Sequence, residues 1–179
     1  MLDGLLMKAE KKFATSQFDA RDFRTALGSF ATGVTVVTAR DARGEPAGIT
    51  INSFASVSLD PPLVSWSLSL HSPALAAFRD CSHYAVNILA ADQAALSGHF
   101  AGPSDRQDRF AGLEFDFGSG GVPLLRGCCA WFECRNQIRH AGGDHLIFIG
   151  EVDNYCYCAR PPLLFHGGQY RTLDSLQNP

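Results

Sequence analysis

Thr50, Asn52, Ser53, Ser56 and Ser58 crowd into one stretch, Gly48-Ile-Thr-Ile-Asn-Ser-Phe-Ala-Ser-Val-Ser-Leu-Asp-Pro-Pro-Leu-Val-Ser-Trp-Ser-Leu68, that otherwise reads as buried sheet. A packed core would use Val, Ile and Leu there, and a solvated face would use Lys and Glu. Small alcohols and an amide, with backbone N–H groups where strand becomes loop, suit a neutral hydrogen-bonding guest. A planar heterocycle with carbonyls and ring nitrogens, carrying a phosphate tail, has that chemistry. The same side chains could instead bond their own backbone along a sheet edge, and the residues alone leave both readings open. A second group is Gly142-Gly-Asp-His145, which runs into Leu-Ile-Phe-Ile-Gly-Glu151. An imidazole at the mouth of an apolar strand could bond a cofactor amide or move a proton, or it could only cap the strand edge.

Other chemistries lack their residues. The chain holds no GxGxxG, GxxxxGK[ST], GxSxG or HExxH pattern, so the common phosphate loops, the serine-hydrolase elbow and the zincin helix are missing. Nothing points to a glycosidase carboxylate pair. Six cysteines, Cys81, Cys128, Cys129, Cys134, Cys156 and Cys158, form no CxxC pair and supply no four-ligand zinc spacing. They are expected to be reduced and to pack as small hydrophobes. Cys156-Tyr-Cys158 alternates, which sets both thiols on one strand face.

At 179 residues the chain suits one domain able to bury roughly 70% of its unfolded surface without a disulfide or metal. Its net charge of −3 and lack of a basic block argue against nucleic acid. No apolar run approaches the roughly 20 residues that span a bilayer. The N-terminal MLDGLLMKAEKKF lacks the long apolar centre of a signal peptide, so a cytoplasmic address is expected.

The elements that must hold these residues follow from spacing. Asp19 caps a helix to Phe30, with Phe23, Leu27 and Phe30 on one face. Val34-Thr-Val-Val-Thr38 reads as a strand. A turn at Asp41–Pro46 leads to a return strand over Ala47–Ser53. Asp60-Pro-Pro62 forces a bend, and then Val64, Trp66, Leu68 and Leu70 alternate with Ser65, Ser67 and Ser69, giving one apolar and one hydroxyl face. Trp66 is expected to pack in the core. Ser72-Pro73 opens a short helix to Phe78, a strand runs from His83 to Leu89, and Asp92 caps a second short helix to Phe100. The Gly-, Asp- and Pro-rich segment 101–127 is too long for a plain connector and is read as functional or as a wrap around a neighbour. Long strands over Cys128–Ile138 and His145–Cys158 flank a glycine turn, and Leu163–Leu173 closes the set. Six or seven strands, joined mostly by hairpins, predict a small, mainly antiparallel barrel with helices at its rim.

Three ordered blocks resemble a known family: Phe23-Arg-Thr-Ala-Leu-Gly-Ser-Phe-Ala-Thr-Gly-Val-Thr-Val-Val-Thr38, Gly48 to Leu63, and Gly143-Asp-His-Leu-Ile-Phe-Ile-Gly-Glu-Val152. Lesser matches are Tyr84-Ala-Val-Asn-Ile-Leu89, Asp108-Arg-Phe110 and Pro123-Leu-Leu125, so the likeness runs from about Phe18 to Tyr170. Together they resemble the flavin reductase-like proteins, among them the reductase components of two-component flavin-dependent monooxygenases. The resemblance implies a mainly β fold with short helices, an FMN-binding split β-barrel that is homodimeric. It places that domain over 18–173, with an extension 1–17 and a tail 174–179. It implies an NAD(P)H:flavin oxidoreductase that reduces FMN or FAD with NADH or NADPH and supplies a partner oxygenase; the alternative is a flavin-binding electron carrier without nicotinamide turnover. No basic pocket for a 2′-phosphate stands out, which favours NADH. By the same resemblance Thr50, Asn52 and Ser53, with Ile51 between them, would contact the ribityl chain or phosphate. Ser56, Val57 and Ser58 would line the isoalloxazine edge, with Ser67 and Asn87 in the same pocket. Ser72 and Arg109 would meet the phosphate, and His145 would face the nicotinamide. The chain departs from the family pattern at Pro73-Ala74, where relatives carry a Thr shortly after the serine, and in His71, Trp66 and Cys128-Cys129.

Overall fold

The computed structural model describes residues 19–102 and 109–173. The expected extension 1–17 and tail 174–179, with Phe18 and Asp108 of the resembling blocks, lie outside the described residues. Helix α1 (Ala20–Leu27) starts where its sequence asks. The Asp19 carboxylate accepts from the backbone N–H groups of Arg21 and Asp22 at 2.7 and 2.9 Å, satisfying donors that the first helical turn leaves open. Its apolar residues do not meet the core. Phe23, Leu27 and Phe30 are 52, 59 and 78% exposed, so the amphipathic pattern made the helix without deciding what covers it.

Strands β1 (Thr32–Gly33), β2 (Thr35–Arg40), β3 (Pro46–Ile51), β4 (Ala55–Leu59) and β5 (Pro62–Ser69) precede helix α2 (Leu75–Asp80). Then follow β6 (His83–Ile88), α3 (Ala94–Ala101), β7 (Phe115–Phe117), β8 (Pro123–Leu125), β9 (Ala130–Gly142), β10 (His145–Tyr157), β11 (Leu164–His166) and β12 (Gln169–Arg171). Seven of them form one sheet, ordered β3-β2-β6-β9-β10-β5-β4, and every neighbouring pair is antiparallel.

The two edges, β3 and β4, are consecutive in the chain and joined by Asn52-Ser53-Phe54 alone. A flat sheet of this order would hold its edges about 29 Å apart, while the connection reaches only about 13 Å. The sheet therefore curls until its edges approach. No ladder joins β3 to β4 among the described residues, so the cylinder is not closed by strand pairing.

Curling gives the sheet an inside. Val37, Ala39, Val64, Trp66, Leu68, Phe78, Tyr84, Val86 and Phe148 fill it, with Trp66 stacked on Phe148 at 4.2 Å and edge-on to Phe78 and Tyr84. A second cluster of Val34, Val36, Leu89, Phe100, Phe110, Leu125 and Leu163 lies on the other face of β2. Strand β2 is therefore covered on both faces, which explains its unbroken run of apolar and β-branched residues. Gly48 allows this second layer. A Cβ there would stand 2.5 and 2.7 Å from ring atoms of Phe100.

Several expectations are corrected. The stretch after Ser53 is not loop but strand β4, because β5 supplies its ladder partners. Helix α2 begins two residues after Pro73; Ser72 makes a local turn before it instead. Asp92 does not cap α3. Gln93 occupies the N-cap without a side-chain capping bond, its amide instead joining the Ala90 N–H and the Arg126 carbonyl, and Asp92 pairs with Arg160 at 2.6 Å. Leu70 falls beyond the end of β5 and is 46% exposed. Cys128, Cys129 and Cys134 are buried as expected, but Cys156 and Cys158 are exposed, because β10 runs past the sheet's covered part. In the segment 101–127, Phe110 packs on Phe100 and Phe115, and β7 and β8 form a hairpin.

Candidate functional site

The hydroxyl stretch unrolls along the open edge of the sheet. Thr50, near the end of β3, donates its hydroxyl to the carbonyl of Ser97 at 2.7 Å, tying β3 to α3 while keeping its acceptor lone pairs free. Ile51 is buried in the inner cluster and its carbonyl accepts from Thr35. Asn52 is exposed, and its amide has no hydrogen-bond partner among the described residues.

Ser53 stands opposite Ser67, one rung beyond the last β4–β5 pair on this side, Ala55 and Ser65. Its hydroxyl accepts from the Ser67 N–H at 3.0 Å and donates to the Ser67 carbonyl at 3.1 Å. One side chain thus imitates a ladder rung at the point where the chain crosses between the sheet's edges.

Strand β4 has a partner on one side only, so its outer edge presents unpaired backbone groups. A register shift falls between Ser56 and Ser58, leaving Val57 as an extra residue in the ladder, as in a β-bulge. Ser56 is exposed, its hydroxyl without a partner among the described residues, and Val57 is 50% exposed. Ser58 accepts from the Asp60 N–H at 3.2 Å, which leaves its proton to donate.

His145 opens β10, directly after the turn that Gly143 makes with φ 68°. Its register partner is Ser69, and the next rungs on that face pair Ile147 with Ser67 and Ile149 with Ser65. Paired side chains share a face, so His145 stands in line with the serine row, two residues (roughly 7 Å) from Ser67 along the strand. Its Nδ1 lies 2.7 Å from the Asp144 carboxylate. A neutral ring held this way carries its proton on Nδ1 and offers Nε2 as an acceptor. The same bond, reinforced by the His145 charge, holds the Asp144 carboxyl below the usual carboxylate range.

Two expected residues are buried and bonded within the fold. Asn87 is fully buried; its amide donates to the Val36 carbonyl and to Thr38, and its oxygen accepts from the Leu125 N–H at 2.8 Å. The buried Arg109 guanidinium donates to the carbonyls of Gly48, Phe100 and Gly102, closing the C-terminal end of α3. Ser72 is half-buried and accepts from the Ala74 N–H at 3.3 Å.

Residues 27–174 match the family described as "Flavin reductase like domain". The chain belongs to the flavin reductase-like family. FMN reductase (NADH) SmoA of Agrobacterium fabrum is 44% identical over 171 residues, which cover 95% of each chain. The reductase component of the flavin-dependent trigonelline monooxygenase of Acinetobacter baylyi is 45% identical over 88% of this chain, but this chain spans only 51% of that protein. Among solved structures, the Streptomyces globisporus NADH:FAD oxidoreductase SgcE6, in complex with NAD and FAD fragments, superposes with a TM-score of 0.83 at 37% identity, covering 89% of this chain and 96% of that one. The mainly β fold with few short helices is thus that of flavin reductases.

Within this flavin reductase-like chain, sequence reasoning missed Asp144 as the partner of His145 and the irregular rung at Val57. Adjacency in Gly-Gly-Asp-His145 was the available signal for the first. The second had none, because a bulge depends on the partner strand. No described helix is long and apolar enough to cross a membrane.

Proposed function

We propose that this chain is an NADH-dependent flavin reductase that binds FMN or FAD along β4 and the serine row, and passes the reduced flavin to a partner oxygenase. The observation that carries the reading is the shared face of His145 and Ser65, Ser67 and Ser69 beside an edge strand with unpaired backbone and an interrupted rung. The donor set fits a flavin: amide, hydroxyl and backbone groups for ring carbonyls and nitrogens, and no cationic cluster competing for a neutral ring.

The bound flavin supplies the acceptor for the nicotinamide hydride. Asn52, Ser56 and the outer edge of β4 hold and orient the planar ring, with Val57 against it. Ser58 and Ser72 retain a proton to donate, and Thr50 retains lone pairs, so these three suit the ribityl and phosphate groups. Ser53 shapes the ledge through its clasp on Ser67. Asn87 and Arg109 act beneath it, fixing β2, β3 and α3. His145, oriented by Asp144, offers Nε2 to the nicotinamide amide and positions it. No nucleophile is needed, in keeping with a ledge of hydroxyl, amide and backbone groups. The NADH-dependent activities named for the relatives disfavour an electron carrier without nicotinamide turnover.

The ledge has one wall in this chain. We assign the other to a second copy, giving a homodimeric split barrel over residues 18–173. Exposed Leu59, Tyr155 and Tyr157, at 95, 69 and 77%, are large apolar groups of the kind an interface covers. The cytoplasm, where NADH is made, is the expected compartment.

Loss of nicotinamide absorbance on mixing protein, NADH and FMN or FAD is the direct test; no loss with either flavin, with NADH or NADPH, rejects the reading. In the same assay His145→Ala is expected to lower kcat/KM for NADH by about tenfold to a hundredfold while leaving the flavin KM near the parent value. An unchanged rate removes His145 from the site.

A further inference from the structure

The hydride chemistry uses none of the six thiols, yet two of the cysteines stand opposite each other at the end of a ladder. Cys158 follows the last residue of β10, and Cys129 precedes the first residue of β9. The final rung of that ladder pairs Tyr157 with Ala130, and one step on the Cys158 N–H donates to the Cys129 carbonyl at 2.8 Å. Residues that exchange both such bonds hold their Cα atoms about 5.5 Å apart, inside the roughly 4.4–6.8 Å window a disulfide needs; here one of the two is made, and the Cys129 N–H goes to the Ile88 carbonyl at 2.8 Å. The two thiols differ in access. Cys158 is exposed. Cys129 is only 9% exposed, its sulfur donating weakly toward the carbonyls of Leu89, Arg160 and Pro161. Cys156 pairs with Trp131, and Cys134 with Val152 and Tyr84; Cys128 is buried, and its carbonyl accepts from the Cys158 sulfur at 3.3 Å.

We propose that Cys158 and Cys129 form a peroxide-sensing pair, with Cys158 the attacking thiol and Cys129 the resolving one. The Cys158 thiolate attacks one oxygen of hydrogen peroxide; the O–O bond breaks, a sulfenic acid forms and water leaves after taking up a proton. The Cys129 thiol loses its proton and attacks the Cys158 sulfur, the S–O bond breaks, and a second water leaves as the disulfide forms. Two thiols are oxidised by two electrons, and one peroxide is reduced to two waters. Peroxide is what reduced flavin yields with dioxygen when no oxygenase takes it, so the source of the oxidant rests on the flavin-reductase reading.

The disulfide would pin the start of β9 to the strap that leads through the Ala90–Pro162 bridge into β11. Exposed Cys158 keeps the pair within reach of solution reductants.

The test starts with added hydrogen peroxide on the whole protein, with no flavin or NADH, so that its result does not depend on the catalytic reading. Two of six thiols are expected to disappear, a reductant should restore them, and the protein should gain no disulfide-linked oligomer. A non-reduced tryptic digest should join the peptide 127–135 to the peptide 140–171, since trypsin spares the Arg160–Pro161 bond, and fragmentation should place the bond at Cys129 and Cys158. Cys158→Ser is expected to abolish the link and Cys156→Ser to keep it. A link that survives Cys158→Ser, a bond at Cys128 or Cys156, a bond between copies, or irreversible oxidation of Cys158 without a link overturns the proposal. In a second arm, NADH, flavin and air replace added peroxide. Catalase should prevent the link; a link that catalase leaves intact overturns peroxide as its oxidant. Absence of NADH oxidation in that arm counts against the catalytic reading alone.

Discussion

Asn87 and Asn52 are the same residue type in two halves of one sheet, and they end in opposite states. Asn87, on β6, sits where both faces are covered, and each of its polar groups is bonded within the molecule. Asn52 sits on the crossing between the sheet's edges, exposed and without a hydrogen-bond partner among the described residues. Arg109 and Ser56 repeat the contrast, one engaging three carbonyls, the other open. A polar residue in a strand is therefore no mark of a binding site in itself. What marks one is hydrogen-bonding capacity that the fold leaves unused, and here that capacity collects along β4 and the outer face of β5.

The sharpest way to break this comparison is to remove both amides. Asn87→Ala strands buried partners on β2 and β8, and should cost about 3–5 kcal/mol of stability in a denaturant titration. Flavin affinity of the molecules that remain folded should change little. Asn52→Ala should change stability by less than about 0.5 kcal/mol yet weaken flavin binding. The reverse pattern would place the cofactor on Asn87 and sink the division.

The thiols give the next largest effect. Burial pushes Cys128 and Cys134 up to about 12 from the usual 9.0. A thiol whose folded pKa is raised contributes stability fully below its unfolded pKa and loses it as pH climbs toward the folded one. The unfolding midpoint should therefore fall between pH 9 and 12, by about 1.4 kcal/mol per pH unit for each thiol. Cys134→Ala should flatten that fall, and native protein at pH 8 should expose Cys156 and Cys158 to alkylation long before Cys128 and Cys134. Equal alkylation rates for all would dissolve the contrast.

Smallest of all is the clasp. Ser53→Ala removes two bonds to Ser67 and is expected to cost about 1 kcal/mol, with a rise in flavin KM as the ledge loosens. Loss of stability without any change in flavin KM would make Ser53 a seam of the barrel and nothing more.

Much of this was legible before any coordinates. The alternation of Val64, Trp66 and Leu68 with serines, the β-branched run at Val34–Thr38, the Asp19 cap and the long paired strands around Gly143 all state local rules that the structure obeys. The misses share a cause. Strand β4 looked like loop, because an edge strand of small polar residues has a weak pattern and becomes a strand only through β5. Asp92 looked like a helix cap until Arg160, distant in sequence, took its carboxylate. Cys156 and Cys158 looked like core, but burial depends on how far the sheet's cover extends. Where the Phe23, Leu27 and Phe30 face would lie was beyond any periodicity.

By itself the sequence determined the period of each element, the hydroxyl row beside an apolar one, and the Asp144-His145 pair at a glycine turn, since these follow from neighbours a few bonds apart. Only the tertiary structure decided which polar groups were left with unused bonds. That choice needs the curl of the seven-stranded sheet, which brings β3 to β4, and the β5–β10 ladder, which sets the serine row beside His145; both are properties of strands paired across long stretches of chain.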